Sequence, residues 1–270
     1  MWTVGSRALL RRELLRFIRR PKNTFMPPAI TNVLYFAVFG VILGGRIDEI
    51  AGFHYILFIL PGLIVLGTIS NAFENASFSI FHGRWNEYIH ETTTSPLSYL
   101  EMVVAYVAAS AVRGLIVGLI VAVVGWLFVP LTVGGGIGVA NAAFLVVTMV
   151  VISALFSGLG IVGGLIARDF DDLTVMNQFI LRPLVFFGAV FYSLTILPTT
   201  WQYVSLLNPM VYMVDGVRYG LLGYSDFLEL APAAYAEVVP LLSLGVLTTL
   251  TLCVLALDVY LFKIGYGLSD

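Results

Sequence analysis

Glu74, Arg113 and Arg182 stand inside long apolar runs of this chain, and Asp258 stands near the end of another. A charged side chain in hydrocarbon costs on the order of 2.5–3.5 kcal/mol on insertion scales unless it is paired or wet. Two readings follow for these residues. They line a polar path or form pairs, Arg113 with Glu74 for example, or they snorkel to an interface, which suits Glu74 and Asp258 best. A second constellation is polar throughout: Arg84-Trp-Asn-Glu87-Tyr88-Ile-His90-Glu91, followed by Ser95-Pro96. Glu87 and Glu91 are four residues apart, so one short helix would carry both on one face, with Tyr88 and His90 beside them, for a partner to grip. An ordinary solvated loop is the other reading.

Chemistry of other kinds finds little support. Lys22 and Lys263 are the two lysines, and neither sits in a Gly-rich loop before Ser or Thr, so the chain has no phosphate-cradling loop of that type. His54, His82 and His90 are scattered and the single cysteine, Cys253, lies elsewhere, a poor basis for a metal site. Neither a Gly-x-Ser-x-Gly elbow nor a His-Glu-x-x-His helix is present. The sequence therefore predicts no catalytic residues, no metal and no cofactor of its own.

Positioning the polar residues falls to apolar helices. The chain is 59% hydrophobic and 11% charged over 270 residues, with a mean hydropathy of +0.96. Soluble domains carry about 25% charged residues; lipid is the solvent that such a surface suits. Six stretches reach the roughly 20 residues that a span requires: 26–45, 54–73, 102–129, 138–167, 175–197 and 238–262. Half of the 14 Lys and Arg residues precede Thr24, and the basic residues on alternate connections place both termini in the cytoplasm. On this count Arg46, Asp48, Glu49 and Arg218 lie outside, and the turn carrying Arg168, Asp169, Asp171 and Asp172 lies inside. Residues 5–20 read as a surface helix, Leu10, Leu14, Phe17 and Ile18 on one face and Arg12, Arg16 and Arg19 on the other, broken by Pro21; a solvated basic tail is the alternative. Segment 198–237 is too polar for an easy seventh span, which would bury Asp215 and Arg218, and its aromatic residues suit short helices that dip into the outer leaflet and return. Gly40/Gly44, Gly114/Gly118 and Gly160/Gly164 allow close helix approach, within one subunit in the plainer reading.

In its order of motifs the chain resembles the ABC type-2 export permeases, near the bacterial drug and polysaccharide efflux branch. Phe58-Ile-Leu-Pro-Gly-Leu63, Ile166-Ala-Arg-Asp-Phe-Asp-Asp172, Phe187-Gly-Ala-Val-Phe-Tyr-Ser-Leu194, Asn208-Pro-Met-Val-Tyr212 and Arg218-Tyr-Gly-Leu-Leu-Gly223 carry the likeness, which covers nearly the whole chain. Thr92-Thr-Thr-Ser95-Pro96 departs from it, being more polar than the Leu-rich stretch usual there. The resemblance implies one all-α transmembrane domain over 1–270, with an interfacial helix, six spans, a coupling helix within 84–96 and re-entrant helices within 198–237. It implies two permease subunits, identical or related, joined to two ATP-binding cassette subunits that hold ATP and Mg, in contact with membrane lipid and not with nucleic acid. Arg84, Glu87, Tyr88, His90, Glu91, Arg168, Asp169, Asp171 and Asp172 would then meet the ATPase, and Asn208, Pro209, Tyr212, Arg218 and Tyr219 would form an outer gate. The expected activity is efflux of an amphipathic or hydrophobic substrate (drug, lipid or glycan) across the cytoplasmic membrane. An ion-gradient-driven transporter and a non-transporting assembly subunit are the other readings.

Overall fold

The structure is a computed structural model and describes residues 4–44, 47, 49–133, 138–230 and 238–268. Arg46 and Asp48, expected in the first outer turn, lie outside the described residues. The N-terminal helix α1 (Val4–Ile18) is followed by α2 (Pro21–Tyr35), which runs on as a π-helical stretch over Phe36–Leu43. A two-stranded antiparallel hairpin, β1 (Glu49–Ile50) with β2 (Phe53–His54), turns the chain back. Its two central residues, Ala51 and Gly52, have φ of 53° and 77°, the left-handed pair that a tight hairpin requires.

Among the described residues, four helices are long and apolar enough to cross a membrane: α3 (Tyr55–Trp85), α5 (Tyr99–Val133), α6 (Ala142–Ile166) and α12 (Val239–Ile264). Between α3 and α5 lies the one short helix α4 (Ile89–Thr93). After α6 come α7 (Phe170–Val175), a π-helical stretch over Met176–Leu181 and α8 (Arg182–Phe186) without a break. Then follow α9 (Thr199–Ser205), α10 (Pro209–Leu222) and α11 (Asp226–Leu230).

Set against the expected six spans, four continuous α-helices meet the length and composition needed. The stretches expected at 26–45 and 175–197 are helical but interrupted. Pro27 and Pro28 lie inside α2, each lacking the N–H that a helix interior uses, and both stretches contain π turns. Helix stops at Phe186, where the chain turns, rather than continuing to Leu197. Segment 198–230 holds three short helices and no seventh span. α10 ends where Gly223 takes a left-handed φ of 73°, as a helix terminus favours.

Helix α3 is the shared wall of the bundle, packed against α5 on one side and α6 on the other. Small residues set both approaches. A Cβ on Gly114 of α5 would stand 2.8 Å from the Thr68 carbonyl oxygen and 2.9 Å from Ala72 Cβ. One on Gly160 of α6 would stand 2.5 Å from the Phe73 carbonyl oxygen and 2.8 Å from Ala76 Cβ. These glycine pairs thus pack within the subunit. The outer faces of α5 and α12 expose Leu119, Trp126, Leu127, Leu241, Leu242 and Leu252, an apolar surface that hydrocarbon can cover.

Gly160→Leu should force α6 off α3 and cost at least the ~1–3 kcal/mol of core overpacking. Thermal unfolding in detergent should show a clear loss for this variant and almost none for Gly245→Leu, where no atom lies within 4 Å of the new Cβ.

Candidate functional site

Two polar assemblies stand out in this apolar molecule, one where α1 crosses the bundle and one beneath α10. The first begins with Glu13. Its residue spacing puts Ser6, Leu9, Glu13 and Phe17 on the buried face of α1. Arg12 and Arg16 flank it, so the expected separation of an apolar face from a basic back does not hold: these two arginines turn inward. The Glu13 carboxylate accepts from Ser79 Oγ at 2.5 Å and pairs with Arg12 Nη2 at 3.0 Å and Arg16 Nε at 3.4 Å. A buried carboxylate is tolerable only with partners of this kind.

Each arginine then reaches a different element. Arg12 donates to Thr92 Oγ1 of α4 at 3.5 Å and to the Tyr106 hydroxyl of α5 at 3.2 Å. Its guanidinium also lies 5.5 Å from the Tyr88 ring centre, within cation–π range; burial pushes the Tyr88 phenol above its ordinary pKa, which keeps it uncharged. Arg16 donates to the Asn75 backbone oxygen at 2.7 Å and to Asn75 Oδ1 at 3.1 Å. The same Oδ1 accepts from Arg113 Nη1 at 3.4 Å, while Asn75 Nδ2 donates to Ser110 Oγ at 2.9 Å. Arg113 completes the chain with Asn71 Oδ1 at 3.3 Å and Glu74 Oε2 at 3.4 Å. An unbroken polar seam therefore runs from Tyr88 and Thr92 through α1 to Arg113. The Arg113–Glu74 pair suggested by the sequence is present; the Arg182 side chain lies outside the description.

Along the 84–96 segment the expected single helix does not form. Glu87 has a φ of 61°, outside any helix, and α4 starts only at Ile89, so Glu87 and Glu91 do not share a helix face. Both are exposed, as is His90. Arg84 turns inward and donates to the carbonyl oxygens of Gly164, Leu165 and Ala167 at 2.8–2.9 Å, satisfying the end of α6. Asp169 Oδ1 accepts from the Asp172 N–H and Asp172 Oδ2 from the Arg168 N–H, both at 2.8 Å. These two acids shape the start of α7, while Arg168 and Asp171 remain exposed. Phe170 gathers Phe81 and Trp85, ring centres at 4.9 and 5.6 Å, and ties this turn to the end of α3.

The second assembly is closed to solvent. Arg218 is 0% exposed. It pairs with Asp226 at 2.8 Å, donates to the Ala189 carbonyl oxygen at 2.8 Å and lies 3.9 Å over the Phe58 ring. Ala189 itself has a left-handed φ of 57°, a conformation unusual for a side chain with a Cβ. Asp226 also accepts from Ser193 and from the Tyr224 hydroxyl, and Asp215 accepts from the Asp226 N–H and Ser225 Oγ at 2.7 Å each. Arg218, counted outside by charge pattern, is thus a buried clasp joining α10, α11, the 187–193 turn and α3. Asn208 caps Met210 N–H at 3.0 Å and donates to the Leu184 carbonyl oxygen at 2.8 Å, with Pro209 as first residue of α10. Tyr212 donates to the Leu206 carbonyl oxygen at 3.0 Å, and Tyr219 meets Phe144 edge-on with ring centres 5.2 Å apart. Asn208 and Tyr212 therefore act at the start of α10 and Arg218 and Tyr219 near its end.

The sequence pattern did not single out Glu13, Asn71, Asn75, Ser79 or Asp226. Two signals were available: one acid at i−4 and i+4 from Leu9 and Phe17 in a basic helix, and Asn71 and Asn75 four apart in an apolar run. Asp258, expected to snorkel, is instead 0% exposed, has no hydrogen-bond partner for either carboxylate oxygen and faces Gly158 of α6. Among the described residues, no group of three or more His, Cys, Asp and Glu could hold a metal ion.

The family model described as ABC-2 type transporter matches residues 6–222. The chain is 39% identical over 226 residues to the inner membrane transport permease YadH of Escherichia coli (strain K12), covering 84% of this chain and 86% of that protein. The YadH permease of Shigella flexneri matches to the same extent.

Arg218→Met should leave Asp226 buried and unpaired, at a cost of ~3–5 kcal/mol. The double variant Arg218→Met/Asp226→Asn should recover part of that loss. Denaturant or thermal unfolding of the purified protein gives both values.

Proposed function

We propose that this chain, which belongs to the ABC-2 type transporter family, is the permease half of an ATP-driven exporter and passes motion from an ATPase subunit to a path through the membrane. Membership of the family makes it a multi-span, all-α membrane permease. The finer assignment rests chiefly on the seam from Tyr88 and Thr92 to Arg113. It begins in the exposed segment that the family resemblance gives to the ATPase and ends at a charged pair between α3 and α5.

In this reading two permease copies, or one with a related chain, stand over two ATP-binding cassette subunits holding ATP and Mg. Both termini face the cytoplasm. The helical stretches at 21–43 and 170–186 join the four long helices as spans five and six in number. α1 lies at the inner interface, and α9–α11 form a re-entrant cap in the outer leaflet. ATP closes the ATPase subunits and displaces Glu87–Glu91 and the 168–172 turn. Arg12 carries the displacement to α1 because it is bonded to α4 and to Glu13 at once. Arg16 hands it to Asn75, and hence to Arg113. The Arg218 clasp keeps α10 rigid against α3, so the cap moves as a body. ATP needs only to favour one state of the assembly over the other by several kcal/mol.

Buried Asp258 favours a second reading. A carboxyl group without a partner in a spanning helix is what an ion-coupled carrier uses. Transport that persists without ATP, collapses with the ion gradient and is lost in Asp258→Asn would select that reading.

Purified permease alone should show no ATP turnover, which should appear once its ATPase subunit is added. Glu87→Arg should leave folding and membrane insertion intact and weaken association with that subunit about tenfold, ~1.4 kcal/mol. A cysteine placed at Thr31, with Cys253 replaced, should change its labelling rate when ATP is supplied to the assembled complex. In Arg12→Met that response should vanish while ATP turnover persists; a retained response would show that α1 is not the relay.

A further inference from the structure

The Arg113 end of the seam opens into a cleft that the relay does not explain. It has two joined chambers of about 270 and 250 Å³, sharing Asn23, Thr24, Glu74 and Arg113. The first has an apolar side of Pro27, Pro28, Tyr35, Leu66, Val185 and Phe186 and a polar side of Thr31, Asn32, Ser70 and Asn71. Phe191 closes its far end, stacked on Phe39 at 4.7 Å and on Phe186 at 5.4 Å between ring centres. The second chamber is bounded by Arg16, Arg20 and Arg113. The cleft therefore has an apolar wall in one chamber and a basic cluster in the other.

The basic end is short of anions. Arg16 and Arg113 share one neutral acceptor, Asn75 Oδ1, beside their separate bonds to the Asn75 backbone oxygen, Asn71 and Glu74. Each keeps a buried Nε–H with no hydrogen-bond acceptor. Arg16 Nε lies 3.4 Å from Glu13 Oε2, near enough for charge attraction without the geometry of a hydrogen bond. Glu74 is the carboxylate that lines both chambers; its side chain is 40% exposed and it is bound to Arg113. Of the three arginines here, Arg16 is shared with Glu13, Arg113 with Glu74, and Arg20 is exposed; the least exposed of the ion-paired two, Arg113, carries the costliest unmet donor. The first chamber carries a further unmet group, Asn32 Oδ1, on a side chain that is buried within α2. Arginine donors are the usual match for phosphate and carboxylate oxygens.

We propose that this cleft seats an anionic amphiphile, its phosphate or carboxylate head between Arg16, Arg20 and Arg113 and the start of its apolar chain against Tyr35, Leu66, Val185 and Phe186. As the cargo of the path this ligand class rests on the permease reading; as a binding site it does not. Head and tail have separate walls, so both are needed for affinity, and neither free phosphate nor a neutral amphiphile satisfies the whole cleft.

The test uses the full-length permease in phosphatidylcholine nanodiscs, without ATP or an ATPase subunit. A fluorescent short-chain phosphatidic acid should bind saturably, one per chain. Inorganic phosphate should compete at least a hundredfold less well than unlabelled phosphatidic acid. Arg113→Gln should weaken binding tenfold or more, with Arg113→Lys intermediate. Because Arg113 is half-way into the bundle, two gentler variants on exposed positions guard against misfolding. Arg20→Gln should weaken binding several-fold, and Thr31→Trp should obstruct the apolar chamber and abolish it, both at unchanged melting temperature. Equal competition by inorganic phosphate would make this a free-anion site and overturn the proposal. So would equal binding of a neutral amphiphile of the same chain length, or binding to Thr31→Trp as tight as to the unaltered protein. None of these failures touches association with the ATPase subunit, which is measured separately.

Discussion

Glu13 is a carboxylate buried among apolar helices, and its need for partners organises the α1 end of the molecule. It takes a hydroxyl from α3 and two guanidinium groups from its own helix. Once those arginines are drawn inward, their remaining donors must also be met, because an unmet donor in a low-dielectric interior costs about 1–3 kcal/mol. Arg12 meets α4 and α5; Arg16 meets Asn75. α1 is in this way bolted to three other helices by one acid. A helix held only by its apolar residues could slide; one held by directional bonds has fewer positions to occupy, and those positions are coupled to α4.

The assembly beneath α10 solves the same electrostatic problem differently. Arg218 finds a carboxylate, a carbonyl oxygen and an aromatic face within one enclosed volume, and the pair is fully removed from solvent. Such pairs contribute little net stability but are expensive to break. They therefore define one arrangement of α10, α11 and the 187–193 turn and penalise the others. Between the two assemblies lies α3, met by α5 and α6 at glycine contacts that leave no slack. The molecule is tied at both ends of a rigid central helix, with bonded networks rather than apolar packing at the places where position matters. The two interrupted helical stretches, 21–43 and 170–186, are the elements whose backbone is least regular, and both border the cleft. Prolines remove a helical N–H donor and π turns shift the bonding by one residue, so two of the cleft's walls depart from regular α-helix.

Much of this could be read from residue types. The apolar runs, the lone charges within them, the Arg113–Glu74 partnership and the close-packing role of Gly114 and Gly160 all follow from local composition and spacing. So does the separation of 198–230 into short helices, since Pro198, Pro209 and Gly223 punctuate it. Spacing failed where a residue's role depended on a distant one. Glu87 and Glu91 satisfy a four-residue rule, yet the left-handed backbone at Glu87 voids it. Arg12 and Arg16 look like a solvated face because Glu13 reads as one more surface charge. Asp258 looks like a snorkelling end residue until α6 is seen to cover it.

By itself, then, the sequence determined the solvent of this protein, the family to which it belongs and where its apolar helical stretches lie, though not which of the six run unbroken, since burial in lipid is settled by the residues of a single segment. Tertiary structure decided which polar groups are partners. Ser79 reaches Glu13 across 66 positions, Asn75 reaches Arg16 across 59, and Arg113 reaches Asn75 across 38. A hydrogen bond is sensitive to tenths of an ångström, and no local pattern carries distances between segments that meet only when the bundle closes.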